Sequence, residues 1–285
     1  MSLNVIIAQV VVLLIMVVLF AIEIKKDKSK ITSKDMTTVA LLCVLTAVVA
    51  RVIAIKIPPG QPLFIISLSM VMTTTIGLIV SPKLALISGI IIDILGLAMS
   101  AAMGDGSMPF LGFTLSSMLS VYLPSVMSRG LKDVSPKKIN LIILGLLVVM
   151  LGLGFLYVTN AEAISMDQIR NELTPNMKNL IMSLLIIMSV VVLGTNFYFG
   201  NKYKADTNKL IVSPSHITLI ILVSELVTSV IGTSLWLVIM YGLPFDVAAS
   251  TRIIRTIIQL PINVGLTWLL IKYLPLSIKK PLLRK

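Results

Sequence analysis

Charge is what this sequence has least of: 13% of its 285 residues are Asp, Glu, Lys or Arg, where soluble domains carry about a quarter. That shortage excludes an ordinary water-soluble domain. A hydrophobic content of 57% and a mean hydropathy of +1.03 place the chain among integral membrane proteins. Cys43 is the only cysteine, which excludes an intrachain disulfide framework and most cysteine metal sites. His216 is the only histidine, which excludes two-histidine zinc sites and most histidine-centred catalysis. No G-x-x-x-x-G-K-S/T phosphate loop, H-E-x-x-H or G-x-S-x-G occurs, so the chain has no ATP-hydrolysing loop and no recognisable catalytic motif. Its 12 acids are scattered over many segments, with no cluster for metal or acid–base work. No enzyme activity, metal or cofactor is expected.

What is abundant is apolar runs. Spans of about twenty residues, enough to cross a bilayer, fall at 3–22, 36–55, 63–81, 84–103, 110–128, 139–158, 178–199, 216–241 and 252–273. They predict an all-α, polytopic helical bundle, since short alternating strands, the signature of a barrel, are missing. The first run lacks a charged start and a small-residue cleavage site, and reads as a retained helix. The net charge of +12 sits in short clusters between the runs, which suits topology rather than nucleic acid, whose sites need a basic face with interleaved aromatics. With the N-terminus outside, 18 of the 24 basic residues fall on the inner side, among them Lys25, Lys26, Lys83, Arg129, Lys137 and Lys272. The outer side keeps Arg51, Lys56, Arg170, Lys178, Arg252 and Arg255. This bias predicts a multi-pass protein of the cell membrane with its C-terminus in the cytoplasm.

That topology gathers a distinctive set at the outer face. Arg51 ends the 36–55 span; Arg252 and Arg255, one helical turn apart, open the last one. Trp236 and Tyr241 approach the same level, as do Phe110 and Phe113. Three loops converge there, at 56–62, 104–109 and 242–250. Arginine offers paired donors to a carboxylate and aromatic rings stack on a flat heterocycle, so the group suits a planar anionic ligand. Simpler roles compete: Trp and Tyr also form interfacial belts, and arginines near helix ends snorkel to headgroups. Asp93 lies near the middle of its span, where a carboxylate must be neutral, paired or facing a polar cavity. It is a candidate partner for an outer arginine. Glu225 could face a neighbouring helix, and His216 reads as interfacial. Thr114, Ser117 and Ser120 form a small polar face suited to close helix packing. Ala40, Cys43, Ala47 and Ala50 form a small-residue stripe, either internal packing or a docking groove for another subunit.

Asp93 and Gly96, followed by Pro109, Phe110, Gly112, Phe113, Thr114 and Ser116, resemble the third and fourth helices of substrate-binding S components of energy-coupling-factor transporters, in their folate-type branch. Leu235-Trp236-Leu237, Tyr241-Gly242, Pro244-Phe245, Arg252 and Pro261-Ile262 resemble the last two helices of that branch, and Arg51 fits the end of its first. The resemblance implies a six-helix vitamin-binding core, captured ligand from outside the cell, and three partner proteins: a membrane coupling subunit and two cytoplasmic ATPases. It also gives the stripe at Ala40, Cys43, Ala47 and Ala50 a docking role on the coupling subunit. On this division residues 1–34 form an added helix and basic loop, 35–130 the first four core helices, 131–212 an inserted hairpin, and 213–285 the last two core helices with a basic tail. Thr233-Ser234 stands where the branch often has Asn-Thr, so the vitamin could be folate or another vitamin or precursor. Two other classes stay open: a stand-alone secondary transporter coupled through Asp93, and a membrane-embedded enzyme.

The topology has a direct test in a Cys43→Ser background. A cysteine at Ser107 is expected to react with an impermeant maleimide on intact cells, and one at Ser135 only after permeabilisation. The reverse pattern would invert the assignment.

Overall fold

The computed structural model describes residues 3–26, 31–52, 54–57, 64–102, 104, 109–131, 134–161, 163–166, 169–202 and 213–274. They form a polytopic helical membrane protein. Seven helices among them are long and apolar enough to cross a bilayer, and two shorter apolar helices accompany these. In chain order the helices are α1 (Leu3–Lys26), α2 (Ser33–Val52), α3 (Ser69–Ile79), α4 (Pro82–Ala102), α5 (Leu111–Gly130), α6 (Pro136–Asn160), α7 (Pro175–Lys202), α8 (Pro214–Glu225), α9 (Ser234–Tyr241) and α10 (Phe245–Tyr273). Leu226–Thr233, between α8 and α9, is π-helical, so α8 to α9 is one continuous rod.

Two expectations about the spans are corrected. The 63–81 run is helical only from Ser69 to Ile79. Before it, Phe64–Ser67 (β2) pairs antiparallel with Ala54–Ile57 (β1), Lys56 standing opposite Ile65. These segments are rich in β-branched and aromatic residues, which favour strand over helix. Every residue from Met70 to Ile79 is buried. A helix apolar on all sides belongs in an interior, and α3, wrapped by protein, need not match the bilayer. The segment between α6 and α7 contains a second hairpin, Ala163–Met166 (β3) with Ile169–Glu172 (β4). The last helix also starts earlier than the apolar run suggested, at Phe245 instead of residue 252.

Short connections make successive helices antiparallel. One end of the bundle therefore collects the starts of α5 and α10 and the end of α9; it is called the Gly242 end here. The opposite, basic end carries Lys26, Arg129, His216 and Lys272. Glycine sets the closest helix approaches. A Cβ on Gly89 of α4 would fall on the Met118 backbone of α5, and one on Gly77 of α3 on the Val121 carbonyl of α5. Ser117 Oγ–H donates to the Gly89 carbonyl at 2.8 Å, so the small polar face of α5 packs helices, as its spacing suggested.

The largest apolar core joins Ile143, Leu147 and Leu185 of the α6–α7 pair to Ile220, Ile254 and Ile257 of α8 and α10. The 139–199 hairpin is thus part of the central packing. Helix α1 packs Val12 and Met16 against Leu86, Leu115 and Met118. Near its basic end Tyr122 Oη–H donates to Glu23 Oε1 at 2.7 Å, and Glu23 is 2% exposed. A phenol partner offsets part of the cost of holding that carboxylate inside the bundle.

At the basic end helix carbonyls are capped from neighbouring helices. Arg129 Nη2–H and Ser125 Oγ–H both donate to the Val80 carbonyl, at 2.9 and 2.8 Å, where α3 stops. A guanidinium there also suits the negative end of the helix dipole. His216 Nε2 lies 3.1 Å from the Leu131 carbonyl and Nδ1 2.6 Å from Ser213 Oγ. A carbonyl only accepts, so in the neutral ring Nε2 holds the proton and Nδ1 accepts from Ser213. Thr218 Oγ1–H donates to Asn196 Oδ1 at 2.9 Å, tying α8 to α7.

The glycine contact predicts a contrast on one helix. Gly89→Ala overpacks the α4–α5 seam and should cost about 1–3 kcal/mol, lowering the unfolding temperature in detergent. Gly96→Ala, whose Cβ meets nothing within 4 Å, should leave it unchanged or slightly higher.

Candidate functional site

Phe110 ends an extended approach (φ −136°, ψ 122°) and caps the start of α5. It is 3% exposed. Its ring meets Phe113 edge-on, with centroids 5.9 Å apart and planes at 74°, and Trp236 of α9 at 5.9 Å and 61°. These are the favoured geometries of aromatic quadrupoles. Trp236 Nε1–H donates to Ser116 Oγ at 2.9 Å, which fixes the indole between α9 and α5. Gly112 makes room: a Cβ there would fall on the Phe110 and Trp236 rings. Gly232 does the same opposite, where a Cβ would stand 3.0 Å from Ser116 Oγ. Helix α1 backs this group, because Trp236 also packs on the Val12–Met16 cluster.

The second group lies across the α8–α10 seam. Arg252 and Arg255 sit on α10 about 10 and 15 Å from its start, at ~1.5 Å per residue. They lie deep in the helix and not at its mouth, because α10 begins at Phe245. Both act electrostatically on Glu225, Arg255 more strongly, and the Glu225 carboxylate hydrogen-bonds Ser229. All three charged side chains are partly buried. Charges at this depth are costly unless compensated, and here the two signs lie near enough to act on one another.

The π-helical segment separates the two groups. Glu225 precedes it and faces α10; Trp236 follows it and faces α5. Thr233 Oγ1–H donates to the Thr228 carbonyl, five residues back, at 2.8 Å, a hydroxyl bond in the π register. Such wide turns rotate the downstream face relative to the upstream one and recur at functional sites. Ser234, next along, is fully buried with its hydroxyl unpartnered. The Thr233-Ser234 shoulder therefore shapes the helix at Thr233 and leaves a polar atom to be satisfied at Ser234.

Asp93 lies on α4. It accepts from Thr114 Oγ1 at 2.7 Å, so it links α4 to α5 one turn along from the aromatic group. Tyr241 is 60% exposed and stands apart from the rings, as an interfacial-belt residue would. Arg51 lies on the last turn of α2; its side chain falls outside the described residues, as do residues 58–62 and 105–108 of the expected covering loops. In the third such loop Gly242 takes the left-handed conformation (φ 66°, ψ 19°) that closes α9 and turns the chain toward α10, a role glycine fills without a Cβ penalty.

The small-residue stripe of α2, which the sequence left open between internal packing and docking, is mostly turned inward. Cys43 and Ala47 are buried, Ala50 is half-buried, and only Ala40 is exposed. Cys43 Sγ–H donates to the Ser88 carbonyl at 3.7 Å, so the stripe lets α2 approach α4. The exposed face of α2 carries Leu41, Val44, Leu45 and Val48.

Glu225 as the arginines' partner, and Ser116 as the indole's, were not assigned from sequence. Nor was the polar line Arg252, Thr256, Gln259, Asn263 and Thr267 on α10, of which the last four are buried. Its three-and-four spacing was legible as one helical face. Asn263 Oδ1, Thr267 Oγ1, Ser224 Oγ and Thr74 Oγ1 are buried without hydrogen-bond partners, on helices that pack together. Among the described residues no group of three or more His, Cys, Asp or Glu could hold a metal ion.

Compared with known proteins, the chain matches no family model and no curated relative. The site combines two arginines that act on a nearby carboxylate, a fixed aromatic group and a bundle interior that keeps several polar atoms unsatisfied.

Gly112 supplies a test of the aromatic geometry. In a Trp268→Phe background, which leaves Trp236 as the only indole, Gly112→Ala should displace the ring and break its bond to Ser116. A shift in the emission maximum toward a wetter indole is the expected reading, and an unchanged spectrum would contradict the packing.

Proposed function

We propose that this protein is the substrate-binding membrane subunit of an ATP-driven energy-coupling-factor importer, and that it captures a folate-like vitamin from outside the cell. The observation that carries the reading is that Arg252 and Arg255, which act on Glu225, lie in the same helical hairpin as Trp236, whose ring meets Phe110 edge-on while Phe113 meets Phe110 in the same way. A ligand that is flat, aromatic and anionic matches both halves. Its rings would stack in the Trp236 group, and its carboxylate would take donors from the arginines.

On this reading α2 to α5 and α8 to α10 make up the six-helix core, counting the α8–α9 rod once. Helix α1 and the α6–α7 pair are additions built into the packing. Energy comes from partners: a coupling subunit in the membrane and two cytoplasmic ATPases. The coupling subunit would meet the Leu41, Val44, Leu45 and Val48 face of α2, with Ala40 at its edge. The N-terminus lies outside and the C-terminus in the cytoplasm.

Purified protein is expected to bind folate or a related pteridine, raising its unfolding temperature by mass action. Arg255→Ala and Arg252→Ala should each weaken binding by about 2 kcal/mol or more, since each leaves a ligand carboxylate short of a partner. Binding that survives both substitutions unchanged would remove the arginines from the site. Uptake that needs no ATPase partner and collapses with the proton gradient would favour a secondary transporter instead.

A further inference from the structure

We infer that the seam where α3, α8 and α10 meet is a binding site for internal water, which bridges the three helices on the basic side of Arg252 and Arg255. Four polar oxygens point to it: Thr74 Oγ1 on α3, Ser224 Oγ on α8, and Asn263 Oδ1 and Thr267 Oγ1 on α10. Each belongs to a residue no more than 1% exposed, and none has a hydrogen-bond partner among the described residues. Apolar neighbours one turn away fix the faces they share. Met70 and Leu78 flank Thr74, Ile220 and Ile221 precede Ser224, and Leu260 and Ile271 bracket the α10 pair, all within one core cluster. Residues three or four apart lie on one helix face, so the four oxygens are turned toward that same core.

They also match in depth. The three helices pack on one another, and each has a terminus at the basic end of the bundle. Counted from there at ~1.5 Å per residue, Thr74 and Thr267 lie about 8–9 Å in, and Ser224 and Asn263 about 15 Å in. The Asn263 oxygen only accepts, whereas a hydroxyl donates or accepts, so the missing partner has to do both. All four atoms are neutral, and a cation among them would bring an uncompensated charge into the bundle. Water meets both conditions, and proteins hold it where several buried polar groups converge. Gln259 and Thr256, both buried, continue the polar line of α10 from this seam toward the arginines. Water in the seam is independent of which ligand those arginines receive.

Thr74→Val and Thr267→Val each exchange a hydroxyl for a methyl of the same shape. The two hydroxyls make no hydrogen bond to each other, so coupling between their losses reports what bridges them. With shared water, each single variant should unfold roughly 2–4 °C lower in detergent. The double variant should lose less than the two together, because the bridge is already broken by the first. Single variants that both unfold higher, as when an unpaired hydroxyl leaves a dry contact, would overturn the inference, and so would strict additivity. An unfolding temperature of the full chain that rises in sodium but not in choline at equal ionic strength would assign the seam to a cation instead and also overturn it. Should a variant fail to fold, a structure of the full chain at a resolution that shows solvent decides. Water density within hydrogen-bonding distance of Asn263 Oδ1 and of another oxygen of the set is expected, and a dry seam there refutes it.

Discussion

A charge inside a bilayer-spanning bundle is costly unless an opposite charge lies near, and Glu225 has Arg252 and Arg255 close enough to act on it. Neither α8 nor α10 could hold its charged residues alone, because the hydrocarbon offers no hydrogen bonds and little screening. Their attraction favours one register of α8 on α10. The apolar layer around them, from Ile220 to Ile254 and Ile257, then keeps water from competing. Helices α6 and α7 complete this layer, so two helices outside the proposed binding core contribute to the environment in which those charges act.

Close approach is the second constraint. Without a strong hydrophobic drive between helices in lipid, association relies on packing and hydrogen bonds. Gly77 and Gly89 bring α3 and α4 onto α5, Ser117 and Ser125 use the short distance to reach backbone carbonyls, and α2 closes on α4 through Cys43. Helix α5 is the common neighbour of these contacts. It also carries Phe110, Phe113, Thr114 and Ser116, so the aromatic group and the Asp93 bond inherit their positions from a rigid, glycine-packed helix. Sites on such elements are more precise than sites on loops.

The meeting of the aromatic rings was legible before any coordinates. Phe110, Phe113 and Trp236 meet, as residues at one depth of a folded-back chain should, and the face through Ser117 packs helices as its spacing implied. What was not legible depends on rotation about helix axes. Tyr241 shares a helix with Trp236 yet points away. Cys43 and Ala47 look like a docking stripe in one dimension and are interior packing in three. Asp93 was a candidate partner for an outer arginine; its described bond is with Thr114, and Glu225 is an acid on which Arg252 and Arg255 act. The π-helical turn between Glu225 and Trp236 is the physical reason that pair was hard to place: an i→i+5 segment changes which faces align, and nothing in the local residue types announces it.

Composition and the length of apolar runs by themselves determined that this chain is a many-helix membrane protein, because lipid admits few other ways to satisfy a backbone. The uneven spread of basic residues between those runs, 18 of 24 on one side, set an expected orientation through the positive-inside bias. Tertiary structure alone decided that α3 is a short buried helix, that the α6–α7 pair belongs to the main core, and that Glu225 faces the arginines. Each of these depends on which side of a helix meets which neighbour. Hydropathy averages over that angle, and only packing resolves it.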